Sequence, residues 1–312
     1  MSLQESIKKQ NDYCGVSCWH EKGYKGQGVT VWNCEKQNDS HGKGTAKRVL
    51  DAAPECNLVT GSIAMTVTGG GPRGIRVAEC GVYDDDGNYH DIHDWITKNN
   101  VKVITCSKAN MFKDRGTVEG DYWQSIIDKY GIILINSAGN DGNKNFDFSN
   151  RVAWLIGALY LSTDGKPKRH GYSSTGKGLD FADFTERNGG TSCAAPYFAG
   201  KCALVLQKHP NFKPDDVHDY MNFCAMDLET DGEDIKTGHG LPLLPLLFDG
   251  GEKDMAKKTK FADVSEGAWY EDAVAYCVDK GYMKGISETE FKPEQPLTRA
   301  QMAQVLMNVF GK

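Results

Sequence analysis

Between residues 29 and 206, strand-length apolar runs alternate with helix-length segments. This alternation is the pattern of a parallel sheet covered by helices on both faces, an α/β doubly wound arrangement. Residues 29–32 (Val-Thr-Val-Trp), 101–105 (Val-Lys-Val-Ile-Thr) and 132–135 (Ile-Ile-Leu-Ile) read as strands. A further strand lies near residues 75–78, after the glycine-rich stretch 69–72. That stretch carries neither a following Gly-Lys-Ser/Thr nor a GxGxxG, so it reads as a connection and not a phosphate cradle. Residues 91–98 and 122–129 have helical spacing.

The composition shifts after Phe248. Residues 249–260 hold no large aliphatic or aromatic side chain apart from Met255, which marks a linker. The expected division is a domain over 1–248, a linker over 249–260 and a small helical unit over 261–312. In the last, Thr298-Arg299-Ala300-Gln301 fits a capping box. Met302, Val305, Leu306 and Val309 then follow at i, i+3, i+4 and i+7, and Trp269, Ala273 and Cys277 form a second stripe. A net charge of −6 argues against electrostatic binding of nucleic acid, and no apolar run approaches the roughly 18 residues of a membrane span. Ten cysteines are scattered along the chain, which suits reduced thiols. Cys14 and Cys18 have no second pair at zinc spacing, so no metal or other cofactor is expected. Asp84-Asp85-Asp86-Gly87 reads as a turn before a helix and not a calcium loop, with His90 and His93 at i, i+3 on that helix as surface residues.

The stretch most informative about chemistry is Gly190-Thr191-Ser192-Cys193-Ala194-Ala195-Pro196-Tyr197-Phe198-Ala199-Gly200. A serine at a helix N-terminus sits where the dipole and free backbone N–H groups favour developing negative charge. The small Ala194, Ala195 and Ala199 let such a helix pack closely on a sheet. This stretch resembles the nucleophile motif of the subtilisin-like serine peptidases, GTSxAAPxxAG. Other stretches resemble that family's landmarks in order: Ser40-His41-Gly42 with Ala46 and Ala53-Pro54, Ser107-Lys108-Ala109, residues 135–142 around Asn140, Tyr172-Ser173-Ser174, and Gly238-His239-Gly240-Leu241. The resemblance covers residues 23–245. It implies a subtilisin-like fold in which Ser192 is the nucleophile, His41 the base and Asn140 an oxyanion donor, with Ser107, Lys108 and Ala109 forming a substrate edge.

The family's aspartate has no direct counterpart. It ends the first strand, and here that position is Asn33. Strand alternation puts Glu35 on the same face, about 6.6 Å further along, while Asp39 is a weaker substitute two residues before the histidine. Only seven residues separate Asn33 from His41, far fewer than the family's usual several tens. Asparagine in such a role cost about 10⁴ in turnover in an unrelated triad. The sequence leaves open a working triad completed by Glu35 or Asp39, a slow Ser192–His41 dyad, and an inactive binding protein on a peptidase scaffold. If Asn33 limits the rate, Asn33→Asp raises turnover.

Residues 260–311 resemble a single S-layer homology repeat, through Phe261-Ala262-Asp263-Val264, Trp269-Tyr270, Ala273-Val274, Gly281, Gly285, Phe291-Lys292-Pro293 and Thr298-Arg299-Ala300-Gln301. Such repeats bind secondary cell-wall polysaccharide, usually three together, so the implied partners are a protein or peptide substrate and, through residues 261–312, cell-wall polysaccharide. No signal peptide is visible in the first thirty residues. The expectation is a cytoplasmic protein that reaches the wall after lysis, as a phage-encoded product would, or through an upstream signal. Substrate preference is mostly hidden: Lys108 in the substrate edge would favour acidic residues, but a long lysine on a loop is more often simply solvated. Cys34 and Cys193 flank Asn33 and Ser192, where thiol oxidation would affect the site.

Overall fold

The computed structural model describes residues 2–69, 76–109, 111–186, 189–245, 259–268 and 270–310. The chain divides into two compact units, residues 1–246 and 247–312. The larger opens with helices α1 (Leu3–Tyr13) and α2 (Val16–Glu21), followed by β1 (Thr30–Asn33), α3 (Ser40–Ala52) and β2 (Asn57–Thr60). Next come β3 (Ser62–Gly69), β4 (Arg76–Tyr83), β5 (Tyr89–Asp91), α4 (Ile92–Asn99), β6 (Val101–Cys106), α5 (Val118–Tyr130) and β7 (Ile133–Ser137). It continues through β8 (Asn145–Asp147), β9 (Trp154–Leu161), β10 (Pro167–Arg169), β11 (Thr175–Lys177), β12 (Phe181–Phe184), α6 (Thr191–Lys208) and α7 (Pro214–Phe223). The short strands β13 (Ala225–Met226) and β14 (Leu241–Pro242) close it.

The central sheet runs β10-β9-β7-β6-β1-β2, with β12 alongside β9. Only β10 is antiparallel to its neighbour, so the expected mostly parallel sheet flanked by helices is what forms. Trp32, Ile104 and Leu134 pack on one face with Ile92 and Ile96 of α4 and with Trp123 and Ile126 of α5. On the other face lies α6, buried without interruption from Cys193 to Val205, with Lys201 inside that span paired to Asp183 of β12 at 2.6 Å. Its Gly200 passes against α3: a Cβ there would sit 2.6 Å from the Val49 carbonyl oxygen and 2.7 Å from Ala52 Cβ. Only glycine permits so close an approach.

From β1 the chain moves outward to β2 and later returns to β6 on β1's other side. Strand order therefore reverses between β1 and β6. In open parallel sheets the carboxyl ends of such strands border a crevice that takes ligands.

The antiparallel region differs from the sequence expectation. The strand expected near residues 75–78 is β4, which pairs antiparallel with β3 and β5 in a separate three-stranded sheet. Apolar alternation identifies a strand but carries no information about its partner. Ile75 and the stretch 70–72 lie outside the described residues. The run Asp84–Gly87 joins β4 to β5, with Asp84 N–H donating to the Asn88 carbonyl at 3.0 Å and Gly87 at φ +88°. His90 thus belongs to a strand and contacts Asp84 Oδ2 at 2.8 Å, while α4 starts only after Asp91, whose side chain caps it. His93 faces Tyr130, Nδ1 to hydroxyl 2.8 Å, so the two histidines do not share a helix. No metal-holding cluster of His, Cys, Asp or Glu occurs among the described residues.

The smaller unit contains α8 (Glu271–Asp279) and α9 (Arg299–Phe310), around Phe261, Val264 and Val274 with Tyr270, Val278 and Phe291 packed against them. The Thr298/Gln301 capping box is formed, Thr298 N–H to Gln301 Oε1 at 2.8 Å and Gln301 N–H to Thr298 Oγ1 at 3.2 Å. In the stripe that follows, Met302 and Leu306 are nearly half exposed, at 46% and 48%. Trp269 and linker residues 249–258 lie outside the described residues.

Candidate active site

The residues singled out in the sequence gather at the carboxyl ends of β1, β6 and β7. Strand β1 ends at Asn33, which is fully buried with its side chain toward α3. Asn33 Nδ2 donates to Thr45 Oγ1 at 3.0 Å, and that hydroxyl donates to the Gly42 carbonyl at 3.0 Å. Asn33 Oδ1 has no partner among the described residues.

Glu35 lies beyond the end of the strand, although Cys34 N–H still pairs with the Thr105 carbonyl at 2.8 Å. Its Oε2 is 3.8 Å from His41 Nδ1, with side chains 21% and 52% exposed respectively. Burial pushes the Glu35 carboxyl above the usual carboxylate range, and the nearby His41 and a hydrogen bond from the Ser107 backbone N–H draw it partly back. Asp39 instead caps α3, accepting from Gly42 N–H at 2.7 Å. That bond satisfies one of the orphan amides of the helix start.

Ser192 stands in the first turn of α6, one residue after Thr191 begins the helix. Its Oγ donates to the Ser107 carbonyl at 3.2 Å, and Ser107 Oγ returns a bond to the Ser192 carbonyl at 2.8 Å. Ser107 is therefore tied to both Glu35 and Ser192. Among the described residues Ser192 and His41 share no hydrogen bond. Lys108 and Ala109, next along the chain, are exposed.

Asn140 follows β7 and is held by its oxygen: Oδ1 accepts from Thr191 N–H at 3.0 Å and Thr191 Oγ1 at 3.2 Å. Its Nδ2 is left as an available donor, and the Ser192 N–H lies in the helical turn whose amides lack i−4 partners. Thr191 is a residue whose role sequence reasoning missed. It holds Asn140 and also accepts from Gly139 N–H at 3.1 Å, and its place inside the GTS run was the available signal. Asn136 and Ser137 likewise hold the Ser107 segment. Asn136 Nδ2 donates to the Cys106 and Lys108 carbonyls at 2.7 and 3.0 Å, and Ser137 Oγ to the Ser107 carbonyl at 2.9 Å. Burial keeps the flanking thiols protonated, with Cys193 pushed up to about 11 and Cys34 well above its ordinary value.

The Subtilase family model matches residues 29–240. The chain belongs to the subtilase family. The S-layer homology domain model matches residues 260–303 of this subtilase. Alkaline elastase YaB from Bacillus sp. (strain YaB) is 31% identical over 161 residues, 47% of this subtilase and 40% of that protein. Subtilisin DY from Bacillus licheniformis is 26% identical over 172 residues, 47% of this chain and 57% of its own length. The surface-layer 125 kDa protein of Lysinibacillus sphaericus is 46% identical over 50 residues, 16% of this chain and 4% of that protein. The subtilase thus spans less than two thirds of each of these relatives. Among solved structures, a lanthipeptide protease shares the fold with a TM-score of 0.52 at 18% identity, over 76% of this chain and 92% of that one.

Proposed function

We propose that the protein is a serine endopeptidase whose acid is Glu35 in place of the usual strand-end aspartate. Ser192 Oγ attacks the scissile carbonyl, His41 takes its proton and passes it to the leaving amine, and water then releases the acyl group by the same route. Asn140 Nδ2 and the Ser192 N–H stabilise the oxyanion. The observation that carries the reading is the hold on Asn140: both bonds from Thr191 occupy its oxygen, leaving its NH₂ to donate beside the nucleophile's helix start. His41 is half exposed, and its bond to Ser192 would form when substrate excludes water, which is when catalytic hydrogen bonds tighten. The deciding experiment is treatment with a fluorophosphonate probe and mapping of the adduct. Label on Ser192 is expected. An unlabelled Ser192 after long exposure favours the inactive binding protein instead.

Glu35 must be ionised to stabilise the imidazolium. Because burial raises its pKa, acidification protonates it at a higher pH than an ordinary carboxyl. The acid limb of kcat/KM is expected to reflect this and to change shape in Glu35→Gln; a pH–rate profile identical in the two proteins would remove Glu35 from the mechanism.

Asn33→Asp is expected to lower stability without raising turnover. The new carboxylate would be fully buried beside Thr45, whose hydroxyl already donates to the Gly42 carbonyl, and a poorly compensated buried charge costs about 3 kcal/mol. Thermal melting and kcat test this, and a gain in kcat would return the acid role to position 33.

Residues 261–312 are proposed to attach the protein to cell-wall polysaccharide, a reading supported by the S-layer homology match and the surface-layer relative. Pull-down on purified cell wall, with the full chain and with a chain ending at residue 248, distinguishes attachment from a mere appendage.

A further inference from the structure

Beside the crevice a cavity of about 330 Å³ is lined by Met65 and Val67 of β3 and by Lys108, Ala109, Met111, Lys113 and Glu119. Its lining residue Ala109 is two residues beyond Ser107, whose carbonyl accepts from Ser192 Oγ, so this wall lies within about 7 Å along the chain of the group that touches Ser192. Its walls are of two kinds. Met65, Val67 and Met111 supply an apolar, adaptable surface suited to an unbranched methylene stem. Lys108 and Lys113 are exposed and make no ion pair with any described residue, and one half-buried carboxylate, Glu119, faces them. The formal balance of the lining is positive.

Resting on the peptidase reading above, we infer that this cavity is a side-chain subsite selecting glutamate, the stem lying on the methionines and the carboxylate meeting Lys108 and Lys113. A lysine side chain would bring a like charge to the same rim, and leucine would leave both ammonium groups unmatched. Exposed charge pairs are individually weak, so two lysines acting together support a preference of about fivefold for glutamate over glutamine. The preference should shrink with salt, because charges at this exposure are screened over about 10 Å at 0.1 M.

The test uses the full chain carrying Ser192→Ala and fluorescent peptides in which each position in turn is glutamate, glutamine, leucine or lysine, with binding read by anisotropy. At one position glutamate is expected to bind about fivefold tighter than glutamine and tighter still than lysine. The double variant Lys108→Glu/Lys113→Glu should reverse the order of glutamate and lysine there. Leucine binding best with no glutamate–glutamine difference, no position favouring glutamate, or an unchanged order in the double variant would each overturn the assignment. Because binding is read without turnover, it separates the two readings. Glutamate selectivity in a protein whose Ser192 takes no fluorophosphonate sinks the peptidase and keeps the subsite; labelled Ser192 without selectivity does the opposite.

Discussion

Ser192→Ala is expected to lower peptide turnover about 10⁶-fold and to abolish the fluorophosphonate adduct while the protein keeps its fold. Stability should change little, for a reason visible in the bonding. Ser192 Oγ gives one bond, to the Ser107 carbonyl, and that carbonyl also accepts from Ser137 Oγ at 2.9 Å. Removing the hydroxyl leaves no orphaned acceptor, so the cost is that of one ordinary hydrogen bond, about 1 kcal/mol or less. A melt within a few degrees of the wild type, together with loss of cleavage, is the expected pair of results. Cleavage that persists in the variant would place the activity elsewhere.

Glu35→Gln is expected to reduce kcat about 10⁴-fold with KM little changed, the scale on which an amide in the acid's place misdirects the histidine tautomer. The substitution is nearly isosteric, and glutamine Oε1 can still accept from the Ser107 N–H that now serves Glu35. The loss should therefore fall on catalysis and not on folding. Asp39 provides the control. Its carboxylate caps α3 through Gly42, so Asp39→Ala should cost about 1 kcal/mol of stability, while Asp39→Asn, which retains a capping oxygen, should preserve both melt and rate. A small effect of Glu35→Gln beside a large effect of Asp39→Asn would exchange the two roles.

Much of this arrangement can be read from residue order. The runs 101–105 and 132–135 fall within the strands β6 and β7 up to a residue at the ends, and the small residues after Ser192 announce a helix buried in the sheet. The Thr298/Gln301 pair forms the capping box its spacing implies. What cannot be read is partner choice. The run containing Val77 and Ala78 is a strand, yet nothing in its pattern says that it pairs locally with β3 and β5 and not with β1. Charge near a turn misleads in the same way: the acidic run 84–86 precedes a second strand, and Asp91 is the residue that starts the helix. The proposed acid, Glu35, shows a further limit. Alternation extrapolates a strand beyond Asn33, whereas the strand stops there, and Glu35 takes its direction from His41 and Ser107 rather than from the pleat. The stripe on α9 is periodic as expected, but periodicity alone does not say what covers Met302 and Leu306.

The contact at Gly200 bears on how such a site can change over generations. His41 to Val49 and Ser192 to Gly200 each span eight positions, about 12 Å of helix, so His41 and Ser192 stand equally far from the point where their helices touch. Their relative placement is fixed by two packed rods and does not depend on the length of chain before α3. The short link after β1 could lose residues without disturbing that pair. In the proposed triad Glu35 alone rides on the link, which makes it the free member of that set, placed two residues beyond the end of β1 while His41 and Ser192 are held by their helices.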